Sequence, residues 1–338
     1  MKAYEIAKGV TGLESLKRVE RPDPKPGRGQ VLVRVRATSL NFRDLAVLQG
    51  VYPGPQATGG LVPLSDGAGE VAAVGEGVTR FKPGDRVAGT FFQVWITGRP
   101  APGVAALGAA NVNGMLAEQV VLHEDGLVGI PQGMSFEEAA SLPCAAVTAW
   151  HALMVAGRPI RPGDSVLVMG TGGVSIFALQ FARAAGARVI ATSSQDEKLD
   201  RTRKMGASDV VNYKKTPDWG KAVLDLTGGR GVDCVVEVGG AGTLAKSFMA
   251  VGFGGKVSLI GVLSGREGDT SPHALMFKGA SLHGIFVGSR VMFEEMLTAM
   301  TINHIKPVID HAYAFDETPD AYRHLMEGKH FGKVVIKI

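Results

Sequence analysis

The stretch Val166–Ser194, VLVMGTGGVSIFALQFARAAGARVIATSS, restricts the fold of this chain more than any other. An apolar run gives way to glycines, then to a long segment with an apolar face, then through Gly186 to a second apolar run. This order reads as strand, turn, helix, strand, which is a βαβ unit. Gly170, Gly172 and Gly173, with Thr171 and Val174 among them, fall where strand passes into helix. Unshielded backbone N–H groups and the positive end of a helix dipole therefore face the turn, and an anion such as a dinucleotide pyrophosphate suits it. A tight turn holding no ligand would use the same letters in a chain with 46 glycines.

A chain of 338 residues has room for about two domains. Lys and Arg are scattered and the net charge is only +4, so no nucleic-acid partner is expected. The opening MKAYEIAKGV lacks the apolar core of a signal peptide, and no apolar run approaches the ~20 residues that cross a bilayer. A cytoplasmic protein without membrane attachment is expected. With only Cys144 and Cys234, the chain builds neither a disulfide framework nor a four-cysteine zinc site.

Two regions differ in texture. In GQVLVRVRATSL, Val31, Val33 and Val35 alternate with Arg34 and Arg36, and further short extended runs broken by Gly and Pro suit a small antiparallel barrel. Residues 100–113 are poor in pattern and charge and read as a surface loop of no legible role. Ser135 with Glu138 forms a capping box that opens a helix. After the βαβ stretch, SDVVNY, VDCVVEVGG, GGKVSLIGVL and SLHGIFVG are continuous apolar strands separated by helical segments such as TLAKSFMAVGF. Such strands belong to a doubly wound parallel sheet covered on both faces. RVMFEEMLTAMTINHI reads as a helix, and the terminal GKVVIKI as a strand able to rejoin the first domain's sheet.

In a dinucleotide-binding βαβ, a carboxylate at the end of the second strand accepts hydrogen bonds from the ribose diol. Here RVIAT ends in Ser193 and Ser194, followed by Lys198. Hydroxyls and an ammonium suit a 2′-phosphate, which a carboxylate would repel, so NADP is expected over NAD; the same residues also serve as ordinary loop surface. Ser175 stands where the glycine fingerprint has its third glycine, which a slightly wider contact between helix and strand would accommodate.

SLNFRD, LSDGAGEVAAVGEGVTRFKPGDRV, LPCAAVTAWHAL, VLVMGTGGVS, GARVIATSS, VVNY, GGKVSLIGV and GKVVI occur in this order over nearly the whole chain. Together they resemble the medium-chain dehydrogenase/reductase superfamily, and within it the zinc-free quinone oxidoreductase branch. The resemblance implies an α/β protein with a GroES-like β-barrel catalytic domain, residues 1–123 and 287–338, and a doubly wound Rossmann dinucleotide-binding domain, residues 124–286. It places the active site in the cleft between them.

Zinc enzymes of the superfamily carry a cysteine where this chain has Asn41 and a histidine where it has Ser65; only the third ligand position, Cys144, is still a cysteine. One soft ligand does not hold a catalytic zinc, which takes three protein donors, so no metal is expected and Cys144 reads as a small buried filler. The resemblance sets Asn41 beside the nicotinamide, as an amide donor to the oxygen of an activated acceptor, although an Asn that satisfies a turn reads the same way. Asp44 is expected to orient the site, paired with Arg43. Cofactor contacts are implied for Thr148, Tyr213, Gly261 and Val262, for Phe286 and Val287 on the last sheet strand, and for Lys333 at the pyrophosphate.

The activity implied is zinc-independent, NADPH-dependent hydride transfer to a quinone or an α,β-unsaturated carbonyl. Enoyl reduction, metal-free alcohol oxidation and non-catalytic nucleotide binding on the same fold stay open. The family pairs its last sheet strand across a two-fold axis, so a homodimer is expected.

Overall fold

The computed structural model describes residues 1–53, 60–265, 267–268 and 270–338. The chain opens with an antiparallel hairpin of β1 (Lys2–Ile6) and β2 (Leu16–Glu20), followed by β3 (Gln30–Ser39), α1 (Phe42–Leu48), β4 (Asp66–Val74), β5 (Arg86–Gly89), β6 (Gln119–His123), β7 (Leu127–Gly129) and α2 (Phe136–Ala140). After α3 (Ala145–Trp150), strands and helices alternate: β8 (Ser165–Met169), α4 (Gly173–Ala184), β9 (Arg188–Ser193), α5 (Asp196–Lys204), β10 (Asp209–Asn212), α6 (Trp219–Leu226), β11 (Val232–Glu237), α7 (Ala241–Ala250), β12 (Val251–Leu259), α8 (His273–Lys278) and β13 (Ser281–Gly284). The chain ends with α9 (Arg290–Ile302), β14 (Ile309–Ala314), α10 (Thr318–Glu327) and β15 (Lys333–Lys337). No described helix is long and apolar enough to cross a membrane.

Residues 1–147 and 288–338 make one compact unit and residues 148–287 the other. The first is GroES-like. Its sheet runs β14-β15-β3-β4-β5-β7, with β6 also paired to β3. β3 is central because its alternation is strict: Val31, Val33 and Val35 are at most 2% exposed while Arg34 faces water. Its last residue, Ser39, lies opposite Asp66 of β4 on one side and Val335 of β15 on the other. GKVVIKI thus rejoins the first unit, as its sequence suggests.

Segment 124–147, expected in the nucleotide-binding domain, belongs to this first unit. β7 pairs with β5, α2 lies on β3 and β4, and the Ser39 hydroxyl donates to the Ala140 carbonyl at 2.8 Å. The 100–113 segment is also not simply surface. Ala106, Leu107 and Ala109 are buried, and Ala106 bridges to Phe92.

The second unit is a Rossmann sheet of six parallel strands in the order β10-β9-β8-β11-β12-β13. The inner strands are mainly apolar because helices cover both faces; Leu167, Ile190, Val235 and Val257 are fully buried. The order reverses direction between β8 and β11, the place where open α/β sheets bind ligands at their carboxyl ends. Two local expectations differ from the structure. The residues after Ala250, read as the tail of a helix, begin β12, where Gly252, Gly254 and Gly255 disfavour a helix. Phe286 and Val287 follow β13 rather than lying on it.

Candidate active site

In the first unit, sheet register gathers a polar cluster from distant parts of the chain. Ser39 leads into Asn41, the N-cap of α1, while Asp66 and Lys333 begin the strands on either side of β3. Lys333 is 3% exposed; its Nζ donates to the Leu40 carbonyl at 2.8 Å and to Asn41 Oδ1 at 2.5 Å, and lies 3.7 Å from Asp66 Oδ2. The ammonium is therefore engaged within this unit. Asp66 accepts from the Ser65 hydroxyl at 2.7 Å and from the Cys144 backbone N–H at 3.2 Å. Asn41 Nδ2 is buried and has no hydrogen-bond partner among the described residues.

Asp44 accepts from the Asn41 backbone N–H through Oδ2 at 2.8 Å and pairs through Oδ1 with Arg43 Nη1 at 3.0 Å. Burial pushes its carboxyl up to about 6, against the opposing pull of the Arg43 charge. The Arg43 guanidinium lies 4.6 Å from the Tyr52 ring centroid and 5.2 Å from that of Phe91, and Nη1 also donates to the Leu107 carbonyl at 2.9 Å. Asp44 thus orients Asn41 and Arg43.

The family's catalytic zinc does not fit these donors. The Asn41 amide oxygen is occupied by an ammonium, and the Ser65 hydroxyl donates to Asp66. Desolvation pushes the Cys144 thiol far up, which penalises the thiolate that zinc takes. The nearby Lys333 charge would repel a divalent cation. Among the described residues, no group of three or more His, Cys, Asp or Glu side chains is placed to hold a metal ion.

In the second unit, most of the expected cofactor residues meet at one edge, the carboxyl ends of the parallel strands. Gly170 turns the chain after β8 at φ +73°, a conformation that side chains resist, and a Cβ there would meet open space. No side chain caps α4, so the first-turn N–H groups are left for an anion, and a dinucleotide pyrophosphate fits this turn. Ser175 fills its non-glycine position by donating to the Met169 carbonyl at 2.6 Å, which ties α4 to β8. After β12, Gly261 passes so close to β11 that a Cβ would lie 2.2 Å from the Val238 carbonyl oxygen, and Val262 beside it is exposed.

Ser193 ends β9 and Ser194 follows it, and Tyr213 N–H donates to the Ser193 carbonyl at 3.1 Å, so these three residues adjoin. Ser194 lines a surface pocket of about 540 Å³ with Gln195, Asp196, Glu197, Asn212, Lys214 and Lys215; Ser193 is buried. Lys198 is packed on α5, so the cations at the pocket are Lys214 and Lys215. Sequence reasoning missed Asp196, whose carboxylate accepts from Asn212 Nδ2 at 2.7 Å and Lys215 Nζ at 2.5 Å. Those two partners, Lys215 foremost, hold it below the usual carboxylate range. Thr148 is buried at the start of this unit, three residues before a π-helical turn over His151–Val155. Phe286 is exposed, whereas Val287 is buried and left-handed at φ +53°.

Residues 27–132 match the family model described as the alcohol dehydrogenase GroES-like domain, and residues 173–301 that of the zinc-binding dehydrogenases. A zinc-type alcohol dehydrogenase-like protein of Schizosaccharomyces pombe is 43% identical, over 99% of each chain. The chain belongs to the medium-chain dehydrogenase/reductase superfamily. Among solved structures, an NAD-dependent alcohol dehydrogenase is 36% identical with a TM-score of 0.92 over 100% of both chains. A quinone oxidoreductase of Pseudomonas syringae is 30% identical with a TM-score of 0.83, over 100% of this chain and 99% of that one. As a member of this superfamily, the protein is an oxidoreductase dependent on a nicotinamide dinucleotide.

Proposed function

We propose that the protein is a zinc-independent, NADPH-dependent oxidoreductase that transfers hydride to a quinone or an α,β-unsaturated carbonyl compound. The observation that carries this reading is the buried, unpartnered Nδ2 of Asn41. A desolvated donor of this kind costs about 1–3 kcal/mol unless an acceptor meets it, and the oxygen of a reducible substrate is such an acceptor. The bound dinucleotide supplies the hydride. The Asn41 amide stabilises the negative charge that develops on the acceptor oxygen; Asp44 holds the Asn41 backbone, and the α4 turn binds pyrophosphate. An amide polarises an oxygen less than a metal does, so an acceptor already activated by conjugation matches this site.

NADPH rather than NADH is favoured by Ser194 and Lys214, which line the pocket after β9, and by Tyr213 beside Ser193, with Asp196 paired to Lys215. The exposed edge strand β13, with Leu282 uncovered on it and Phe286 uncovered just after it, suits pairing with a second copy as a homodimer. The test is NADPH consumption with panels of quinones, enones, aldehydes and alcohols. Turnover of quinones or enones, reduced on the order of 100-fold in Asn41→Ala, is expected. Turnover confined to simple alcohols, or an Asn41→Ala enzyme as fast as the wild type, would overturn the proposal.

A further inference from the structure

We infer that Lys333 is a positioning residue that fixes which end of the Asn41 amide is offered as a donor. The inference rests on the reading of Asn41 above but concerns a residue 292 positions away. An N-cap asparagine ordinarily turns its side-chain oxygen onto the backbone N–H groups of the first helical turn. In α1 the Asp44 N–H donates to the Asn41 backbone carbonyl at 2.9 Å, and Oδ1 accepts from Lys333 Nζ.

An ammonium has three donors and no acceptor, whereas an amide has an oxygen at one end and two N–H donors at the other. With Lys333 on one side, only the oxygen-first orientation makes a bond; a flipped amide would set N–H against ammonium. Nδ2 is therefore held away from Lys333, where it is buried without a partner among the described residues. A charged donor on Oδ1 also polarises the amide and strengthens Nδ2–H as a donor. The Leu40 carbonyl and Asp66 keep Nζ in place, and the pairing of β15 with β3 brings it there.

Two measurements test this on the full-length enzyme. In protein labelled with 15N-asparagine, the side-chain NH2 pair of Asn41, assigned by its loss in Asn41→Ala, should shift in Lys333→Met. In a double-mutant cycle, Lys333→Met should lower kcat about tenfold, a fraction of what a fully lost oxyanion donor costs, with the Kd for NADPH within about twofold of the wild type. In the Asn41→Ala background, Lys333→Met should lower kcat no further. Should Lys333→Met fail to fold, Lys333→Arg, which keeps a donor for Oδ1, should hold the amide signal and turnover near the wild type. An unmoved NH2 pair, or an equal loss of kcat from Lys333→Met in both backgrounds, overturns the inference. A shifted pair with wild-type turnover in Asn41→Ala would instead sink the donor role of Asn41 and leave the orientation by Lys333 standing.

Discussion

His151 Nδ1 lies 2.7 Å from the carbonyl oxygen of Val287, a β-branched residue held in the left-handed region at φ +53°. Such a conformation costs about 1–3 kcal/mol and persists only where the surroundings impose it. The imidazole comes from a π-helical turn, an irregularity frequent at functional sites. Burial, with a smaller push from Lys256, lowers the His151 pKa, so at neutral pH the ring is uncharged and Nδ1–H donates.

His151→Phe should therefore destabilise the second unit by about 1–3 kcal/mol at pH 7, the cost of a buried carbonyl left without its donor. The pH dependence has a definite sign. The folded pKa lies below the unfolded value of 6.5, so the unfolded chain binds the extra proton as pH falls below 6.5. Wild-type stability should thus drop between pH 7 and 5 more steeply than that of the variant. Parallel denaturation curves at both pH values would remove His151 from this account.

Asp44 works in the opposite direction. Its carboxyl is raised from 3.8 to about 6, so between those pH values the folded protein holds a proton that the unfolded chain has lost. The stability it contributes is present at low pH and is lost as pH rises through 6. At about 1.36 kcal/mol per unit this is on the order of 3 kcal/mol. Asp44→Asn cannot titrate and should gain on the wild type, by an amount of this order, between pH 4 and 7. A stability difference that stays constant over this range would mean that Asp44 is already ionised at pH 4.

The parts of this molecule that were legible in its sequence are those whose cause is local. The glycine turn before α4, the Ser135–Glu138 capping box and the alternation of β3 each specify their structure within a few residues. The polar cluster was not legible, because it depends on which strands flank β3. Nothing near Lys333 tells that its ammonium will face Asn41 until Ser39 is known to lie opposite both Asp66 and Val335. Residues 106–109 read as surface for the same reason: the carbonyls of Leu107 and Gly108 are met by Arg43, a donor from a remote helix. Asp196 was not legible because its partners come from the end of β10, Asn212, and from the turn after it, Lys215.

The proposed zinc independence rests on the same cluster. With Lys333 on the Asn41 oxygen, the Ser65 hydroxyl turned to Asp66 and the Cys144 thiolate penalised by desolvation, exhaustive dialysis against a chelator should leave kcat and the thermal midpoint unchanged. Elemental analysis of the protein as purified should find well under one zinc per chain. About one zinc per chain, with activity lost on its removal and restored on its return, would mean that the cluster rearranges to expose a thiolate.

Cofactor choice has to be decided away from the glycine turn, which meets a pyrophosphate common to NADH and NADPH. Ser194 lines the pocket after β9, whereas Ser193 is buried, so Ser194 is the better reporter of what meets the adenosine ribose. Charge-assisted contacts with a 2′-phosphate contribute roughly 1.5–3 kcal/mol each, so NADPH should bind at least about tenfold more tightly than NADH at fixed salt. Asp196 and Glu197 are the carboxylates that line the same pocket, and Lys215 and Asn212 already occupy the first of them. Lys215→Ala should therefore free the Asp196 carboxylate and erode the preference, and Ser194→Asp should erode it further by setting another carboxylate against the phosphate. Titration of both cofactors into the three proteins is the check: equal affinities in the wild type, or an undiminished NADPH preference in both variants, would show that the ribose is read elsewhere.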